Sequence, residues 1–175
     1  MSYCVTCDGF FFKGKDVAII VPQSYAADQI LTLSRLARKV YVLTMAKELD
    51  CQKELESLIK EKKVELSYYA VPKEIKGKEK VEKLIFLEKG KEKEIEVEGI
   101  FIETGIVSLG EFAKNLKLEL DKEGYILVDE NMKTSVKGIF AAGNATNFKL
   151  KQVLTAASQG AIAISSIEGL ISPKK

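Results

Sequence analysis

Apolar and polar residues follow two different periods in the first third of the chain. The run Asp16–Val21 is short, apolar and rich in β-branched residues, which predicts a buried strand. Apolar residues then recur every three to four positions, as on a helix that packs against a sheet, and Ser24 can cap the start of this helix. A second apolar run, Val40–Leu43, completes a strand–helix–strand unit with a right-handed crossover. The apolar positions of the helix are Ala26, Ile30, Leu33 and Ala37.

The middle of the chain predicts a surface helix followed by an antiparallel sheet. Leucines and one isoleucine are spaced among Lys and Glu from Glu48 to Lys63, the pattern of an amphipathic helix. Three strand-like runs follow, Val64–Val71, Val81–Glu88 and Glu94–Thr104, and partial alternation indicates a meander with one face in solvent. A turn at Lys89–Lys91 would join the last two runs.

Beyond Gly105 the pattern changes to short elements and one long helix. We expect a short helix at Glu111–Leu116, strands at Tyr125–Val128 and Gly138–Ala142, and a long, weakly polar helix at Leu150–Ile171. Apolar side chains on this last helix outnumber the positions of a single packed face. We therefore expect association with another copy or another chain to cover it.

Composition excludes several functional classes. With 175 residues the chain can bury about 70% of its unfolded surface, so its core needs no disulfide or metal for stability. The 27 basic and 25 acidic residues leave a net charge of +2, which does not favour a nucleic-acid partner. No apolar run approaches the roughly 20 residues of a membrane span, so we expect a cytoplasmic protein. The absence of histidine excludes Ser-His and Cys-His triads and any metal site with a histidine ligand.

The candidate chemistry lies near the start of the chain. Cys4 and Cys7 are separated by two residues and followed directly by Asp8, a unit that can close a disulfide, attack one, or bind metal as thiolates. The pair could be a redox dithiol, an inactive relic, or half of a four-cysteine zinc site completed by a partner. Cys51 lies among polar residues and is expected at the surface. The run Phe10–Phe12 is expected to be part core and part docking surface.

Two segments of this chain resemble the low-molecular-weight thioredoxin reductases. The first is the order Cys-x-x-Cys-Asp-Gly, a basic spacer and a strand–helix–strand unit. The second is Gly138–Gly160, where the family has a strand ending in Ala-Gly-Asp, then a basic residue and Gln that hold flavin. The corresponding residues here are Gly143, Asn144, Lys151 and Gln152.

The resemblance implies a fold and two domains. The expected class is α/β, with a Rossmann-like three-layer domain of parallel sheet and meander at residues 1–105. Residues 106–175 would be a remnant of the end of a flavin domain. By the same resemblance Asp8 would be the acid that protonates a departing thiolate, although a turn residue before Gly9 is an equal alternative.

The resemblance fails at the cofactor sites. Val21 and Gln23 stand where the family has the glycines that admit a pyrophosphate, with Pro22 between them. The arginines for the 2′-phosphate are replaced by Met45 and Ala46. We therefore expect binding of neither NADPH nor NADH.

Flavin binding is expected to be weak or to depend on a partner chain. Asn144 replaces the aspartate of the flavin segment, and it has one acceptor oxygen and no charge. The few residues before Cys4 cannot hold the first FAD-binding half that precedes the dithiol in the family. We expect either a natural half-protein or a piece of a longer one.

Two functions follow from these expectations. The first is a thioredoxin-reductase-like thiol–disulfide oxidoreductase, with electrons supplied by another protein. Its partners would be a thioredoxin-like substrate or a flavin-bearing chain, in a homodimer or a mixed complex that buries Phe10–Phe12 and the last helix. The second is a non-catalytic assembly subunit derived from a reductase.

Overall fold

The computed structural model describes residues 1–22, 27–103 and 110–171. They belong to two compact units, Met1–Gly105 and Ile106–Lys175, each considered by itself. Ser24, Gln23 and Ala26, to which the sequence assigned roles, lie outside the described residues, as does Gly105.

A four-stranded parallel sheet forms the centre of the first unit. The first element is the short helix α1 (Val5–Asp8). The strand–helix–strand unit that the apolar periods predicted follows it, as β1 (Asp16–Val21), α2 (Ala27–Leu36) and β2 (Lys39–Thr44). In sequence order β3 is Val64–Ser67 and β7 is Gly99–Ile102, and the strand order is β3-β2-β1-β7. Both neighbours of β1 are parallel to it, so this strand is fully inside the sheet.

Both faces of this sheet are covered, which explains why its strands are apolar throughout. One face packs with α2, where Ile30 and Leu33 are fully buried. The other face packs against a three-stranded antiparallel meander through Leu84 and Phe86. These are the three layers that the sequence predicted.

The predicted boundaries of the meander were wrong. Its strands are β4 (Ala70–Lys76), β5 (Lys83–Glu88) and β6 (Lys91–Glu96), so the first and third predicted runs each contain two strands. The first run breaks at Tyr69, which has a φ of 51°, and its earlier part joins the parallel sheet. No Gly or Pro marks the first break, since Ser67 is followed by Tyr68, Tyr69 and Ala70, so the residue types alone do not indicate it.

The turn between β5 and β6 is confirmed. Lys89 and Gly90 have φ values of 50° and 79°, and Glu88 pairs with Lys91. Positive φ at both central residues is the signature of a two-residue type I′ turn, whose twist matches that of the flanking strands.

The predicted helix Glu48–Lys63 is much shorter in the structure. Only Glu56–Lys60 is helical (α3), and residues 50–55 form turns. These turns fold Cys51 inward beside Leu49 and Leu55, so the expectation of a surface thiol was wrong. Cys51 is 8% exposed, and burial raises the pKa of its thiol.

The second unit holds α4 (Gly110–Asn115), α5 (Val153–Ile171) and a small core that includes Ala113 and Ile126. The predicted strands Tyr125–Val128 and Gly138–Ala142 were wrong, because these segments make only isolated bridges.

Aspartate side chains shape the backbone around the first of these segments, Tyr125–Val128. The Oδ1 atom of Asp121 accepts hydrogen bonds from the N–H groups of Glu123 and Tyr125, each at 2.9 Å. Asp129 does the same for Asn131 and Lys133, also at 2.9 Å. Such local side-chain bonds turn the backbone and use donors that a strand ladder would need.

The last helix is largely exposed. Within the described chain, α5 is long and apolar enough to cross a membrane by length and composition alone, with 11% of that stretch buried. The sequence predicted no apolar stretch of this length. Polar residues such as Gln159 and Glu168 divide the apolar run in the sequence but leave the helix apolar on average. Large apolar side chains of α5 lie in solvent, including Val153 at 87%, Leu154 at 81% and Ile164 at 66% exposure.

Candidate functional site

Cys4 and Cys7 are joined by a disulfide whose two Cα atoms lie 5.3 Å apart. Cys4 is the N-cap of α1, and its Sγ accepts a hydrogen bond from the N–H of Cys7 at 3.1 Å. Cys7 is exposed and Cys4 is half-buried. One turn of helix therefore holds both sulfurs at the surface, where another thiol can reach them. In the described part of the chain, no cluster of three or more Cys, Asp or Glu side chains could hold a metal.

Ser2 fixes this turn to the edge of the parallel sheet. Its N–H donates to the oxygen of Ile100 and its oxygen accepts from the N–H of Ile102, both at 2.9 Å. The chain just before the disulfide thus pairs with β7, opposite Phe101. Ser2 is 3% exposed, so the anchor is buried while the disulfide is not.

Asp8 lies at the end of the same turn. Its N–H donates to the oxygen of Cys4 at 3.1 Å, and its Oδ2 accepts a hydrogen bond from the Ser2 hydroxyl at 2.7 Å. The resemblance suggested Asp8 as an acid. In the structure Asp8 lies on the same helical turn as the disulfide. The acid role remains a prediction.

Glu103 is a second carboxyl group at this turn, and the sequence gave no prediction for it. It follows the last residue of β7, and its Oε1 accepts a hydrogen bond from the N–H of Val5 at 3.4 Å. Burial raises the pKa of Glu103. The one signal in the sequence was an acid directly after an apolar strand, a weak signal because many strands end in this way.

The three phenylalanines after the disulfide divide between core and surface, as predicted. Phe12 packs edge-to-face on Phe101 with ring centroids 5.2 Å apart. Phe10 and Phe11 are each 71% exposed, and Tyr3 on the other side of Cys4 is 69% exposed. Exposed aromatic side chains therefore flank the disulfide in sequence on both sides.

The described residues at the expected nucleotide site do not fit a pyrophosphate. Val21 is buried in the sheet, and Pro22 has no N–H to offer a phosphate oxygen. At the end of β2, Met45 is 70% exposed. The N–H of Ala46 donates a hydrogen bond to the Thr44 hydroxyl oxygen at 3.2 Å. The nearest cation, Lys47, lies 3.6 Å from a carboxylate oxygen of Glu48.

The segment that resembles a flavin site uses its polar groups internally. The N–H of Gly143 donates to Oε1 of Gln159 at 2.7 Å. Lys151 donates to the backbone oxygen of Asn144 at 3.3 Å and to that of Thr146. Burial lowers the pKa of Lys151, whose Nζ lies 3.9 Å from the centre of the Tyr125 ring.

This segment has few unpaired polar groups to offer a flavin. The backbone N–H of Gly143 already donates to Gln159, and the Lys151 ammonium uses two of its three N–H donors on backbone oxygens. The Nε2 of Gln159 is buried without a partner among the described residues. The sequence did not indicate Gln159, because its partner Gly143 lies 16 positions away and no local motif connects the two residues.

Comparison with known proteins gives one family. The model described as "Pyridine nucleotide-disulphide oxidoreductase" matches residues 23–160. The thioredoxin reductase of Peptoclostridium acidaminophilum is 36% identical, over 96% of this chain and 56% of the relative. That of Bacillus subtilis (strain 168) is 34% identical, over 96% of this chain and 54% of the relative.

Solved structures agree with these relatives. The thioredoxin reductase from Streptococcus pyogenes MGAS5005 superposes with a TM-score of 0.78 at 33% identity, covering 96% of this chain and 57% of that structure. The thioredoxin reductase from Giardia duodenalis gives 0.78 at 27% identity, with 98% and 58% covered. The chain thus spans little more than half the length of the relatives it matches.

Proposed function

Since the chain belongs to the pyridine nucleotide-disulphide oxidoreductase family, we propose that it is a thioredoxin-reductase-like thiol–disulfide oxidoreductase acting through Cys4 and Cys7. The observation that supports this most is the disulfide on an exposed turn beside the Asp8 carboxylate. We propose residues 1–105 as the domain that carries the dithiol and residues 106–175 as the remnant of a flavin domain.

The reaction is the reduction of a disulfide in another protein. In the reduced chain, one cysteine releases its proton to solvent and its thiolate attacks a substrate sulfur, which forms a mixed disulfide and breaks the substrate disulfide. The departing thiolate takes a proton from the Asp8 carboxyl group, which regains one from solvent. The second cysteine loses its proton in the same way, attacks the mixed disulfide and releases the second substrate thiol. Two electrons and two protons pass to the substrate, and Cys4–Cys7 is oxidised.

The substrate and the electron donor are both proposed to be proteins. A thioredoxin-like disulfide protein is the substrate that the family relationship favours, and Phe10 and Phe11 offer it an apolar contact. A partner protein returns the two electrons and two protons, and a flavin-bearing chain is the candidate. The chain itself would bind no NADPH and would hold FAD only weakly or through that partner. A dithiol that cycles between its two states suits the reducing cytoplasm, where we place the protein.

A single-turnover experiment tests this proposal. The protein is reduced with dithiothreitol, separated from the reagent and mixed with excess insulin as a disulfide-bearing protein. We expect close to one insulin disulfide to be reduced per chain while Cys4 and Cys7 become oxidised. Cys4→Ser and Cys7→Ser should each abolish this stoichiometry, and Cys51→Ser, a change at the buried free thiol, should not. A fully reduced wild-type chain that leaves insulin intact would contradict the proposal.

The exposed apolar surface of α5 supports a second candidate function, that of an assembly subunit. Val153, Leu154 and Ile164 are more than 60% exposed, and a soluble monomer rarely leaves so much apolar surface in water. In this alternative the helix binds a second copy or another chain, and the dithiol is not used.

Sedimentation of the purified chain at micromolar concentration tests this second candidate. We expect a dimer or larger species that dissociates when Leu154→Glu and Ile164→Glu are combined. Ser158→Glu on the same helix, at an exposed polar position, is the control and should leave the species unchanged. A monomer throughout the concentration range would remove the reason for an assembly role.

A further inference from the structure

The hydroxyl of Ser2 connects the two ends of the disulfide turn. It lies 2.7 Å from Oδ2 of Asp8 and accepts a hydrogen bond from the N–H of Cys4 at 3.1 Å. The oxygen of Cys4 is a more distant second acceptor at 3.3 Å. A hydroxyl has one proton to donate, and the shorter contact to a carboxylate is the stronger hydrogen bond. Ser2 therefore donates to Asp8.

The backbone of Ser2 does not need this hydroxyl for its position. Two main-chain hydrogen bonds to β7, both at 2.9 Å, already hold the residue against the sheet. Polar atoms are costly to bury unless they are hydrogen-bonded, and here a 3% exposed residue uses its polar atom on one specific carboxylate. The contact thus adds to the anchor rather than forming it.

The nearby carboxyl group of Glu103 has a different partner. Its Oε1 accepts the N–H of Val5 at 3.4 Å, at the first residue of α1. Ser2, which pairs with β7, and Glu103, which follows β7, thus contact the disulfide turn at separate residues. The acid that Ser2 contacts is Asp8.

We infer that Ser2 is the positioning residue of the dithiol site, which holds Asp8 through Oδ2 and leaves Oδ1 to carry the proton. This inference rests on the proposed function, since it concerns the proton that Asp8 gives to the departing thiolate. Ser2 touches no substrate sulfur in this scheme and acts only through Asp8. Its loss frees the carboxylate to rotate away, while the disulfide and the β7 anchor remain.

Two small disulfides with different leaving groups test this role. The thiol released from 2-hydroxyethyl disulfide is basic and needs a proton as it leaves, whereas the thiol released from 5,5′-dithiobis(2-nitrobenzoate) leaves as a stable thiolate. A positioned general acid accelerates a reaction by about 100-fold or more, so Asp8→Asn should slow the first exchange to that extent. We expect Ser2→Ala to slow the first exchange about tenfold, a part of the contribution of the acid, and the second less than twofold.

Three further variants separate positioning from folding. The double variant Ser2→Ala with Asp8→Asn should react as slowly as Asp8→Asn alone, because Ser2 acts through Asp8. Ser2→Thr, which keeps the hydroxyl, should restore at least half of the rate. Ser34→Ala removes another buried hydroxyl, one that donates to the oxygen of Leu31 at 2.8 Å, and should change neither exchange.

The outcomes distinguish this inference from the proposed function. If Ser2→Ala slows both disulfides equally, or adds its full effect to Asp8→Asn, Ser2 is only structural and the inference is wrong. If the wild-type dithiol reacts with both reagents but not with insulin, the proposed function fails while the variants still decide the role of Ser2. If it reacts with neither reagent, both are overturned.

Discussion

Glu103 combines a buried carboxyl group with a single backbone donor, at 3.4 Å from the N–H of Val5. Burial favours the neutral acid, so the pKa of Glu103 in the folded chain lies above its unfolded value of about 4.3. The folded state therefore binds this proton more tightly than the unfolded state does. By linkage, its contribution to stability is most favourable below the unfolded pKa and falls as the pH rises through the folded pKa.

We predict that Glu103→Gln raises the urea midpoint of unfolding at pH 7. Gln keeps an acceptor oxygen for Val5 and removes the charge that burial disfavours. The gain over wild type should shrink as the pH falls through the folded pKa of Glu103 and vanish below the unfolded value of about 4.3, where Glu103 is protonated in both states. Glu79→Gln, at an exposed position, is the control and should show no such trend. An equal gain at both pH values would contradict the linkage argument.

The parts of the site that are local in sequence could be predicted, and those formed by the fold could not. Cys4, Cys7 and Asp8 lie within five residues, so their spacing was compatible with a disulfide near a carboxylate, as well as with a metal site. Glu103 reaches Val5 across 98 positions, and Gln159 reaches Gly143 across 16. A single acid or amide has no spacing partner that would single it out before folding.

At the scale of elements, β7 supports the dithiol turn through a close contact at Gly99. A Cβ atom at Gly99 would lie 2.2 Å from Cε1 of Phe12, which packs on Phe101. The strand thus needs a residue without a side chain where the ring crosses it. This contact connects the phenylalanine run to the edge of the parallel sheet.

We predict that Gly99→Ala destabilises the chain by about 1–3 kcal/mol, because Phe12 must leave its place. In a Phe12→Ala background the same change should cost little, since the clashing ring is absent. Gly160→Ala in α5 meets no atom within 4 Å and should be neutral or stabilise by up to about 1 kcal/mol. Urea unfolding of the four variants measures this, and an unchanged cost of Gly99→Ala without Phe12 would refute it.

Elements with one clear apolar period could be predicted from the sequence. The limits of strands that follow one another closely but join different sheets could not. β1, α2 and β2 bury continuous apolar positions, so their pattern in sequence is strong. The breaks at Tyr69 and after β6 depend on which sheet each half joins, and this is a property of the tertiary fold. At Tyr125–Val128 the N–H of Tyr125 donates to the Asp121 side chain, a contact that an apolar pattern does not show.

For the molecule as a whole, the redox group is present while the residues at the cofactor sites of the family are changed. Cys4 and Cys7 form their disulfide, whereas Val21 stands at a family glycine, Pro22 follows it without an N–H, and Met45 stands at a family arginine. The chain should therefore depend on other proteins for electrons. Sequence similarity to complete reductases would not by itself suggest that this chain needs another protein as its electron donor.

We predict that calorimetry detects no saturable binding of NADPH or NADH to the unmodified chain. Glycine at the three positions Val21, Pro22 and Gln23 should not restore binding, because Met45 and Ala46 still offer no charge to the ribose phosphate. Binding of either nucleotide at micromolar Kd would show that the nucleotide site persists.

The proposed function requires Cys4 and Cys7 to form a redox-active dithiol. A titration of the chain in glutathione and dithiothreitol buffers of defined potential tests this, with the oxidised fraction counted by thiol alkylation and mass spectrometry. We predict a two-electron transition between about −120 and −300 mV, above the potentials of structural disulfides. Cys51 should stay reduced throughout. A pair that remains oxidised well below −300 mV, or one that never closes, would contradict the account.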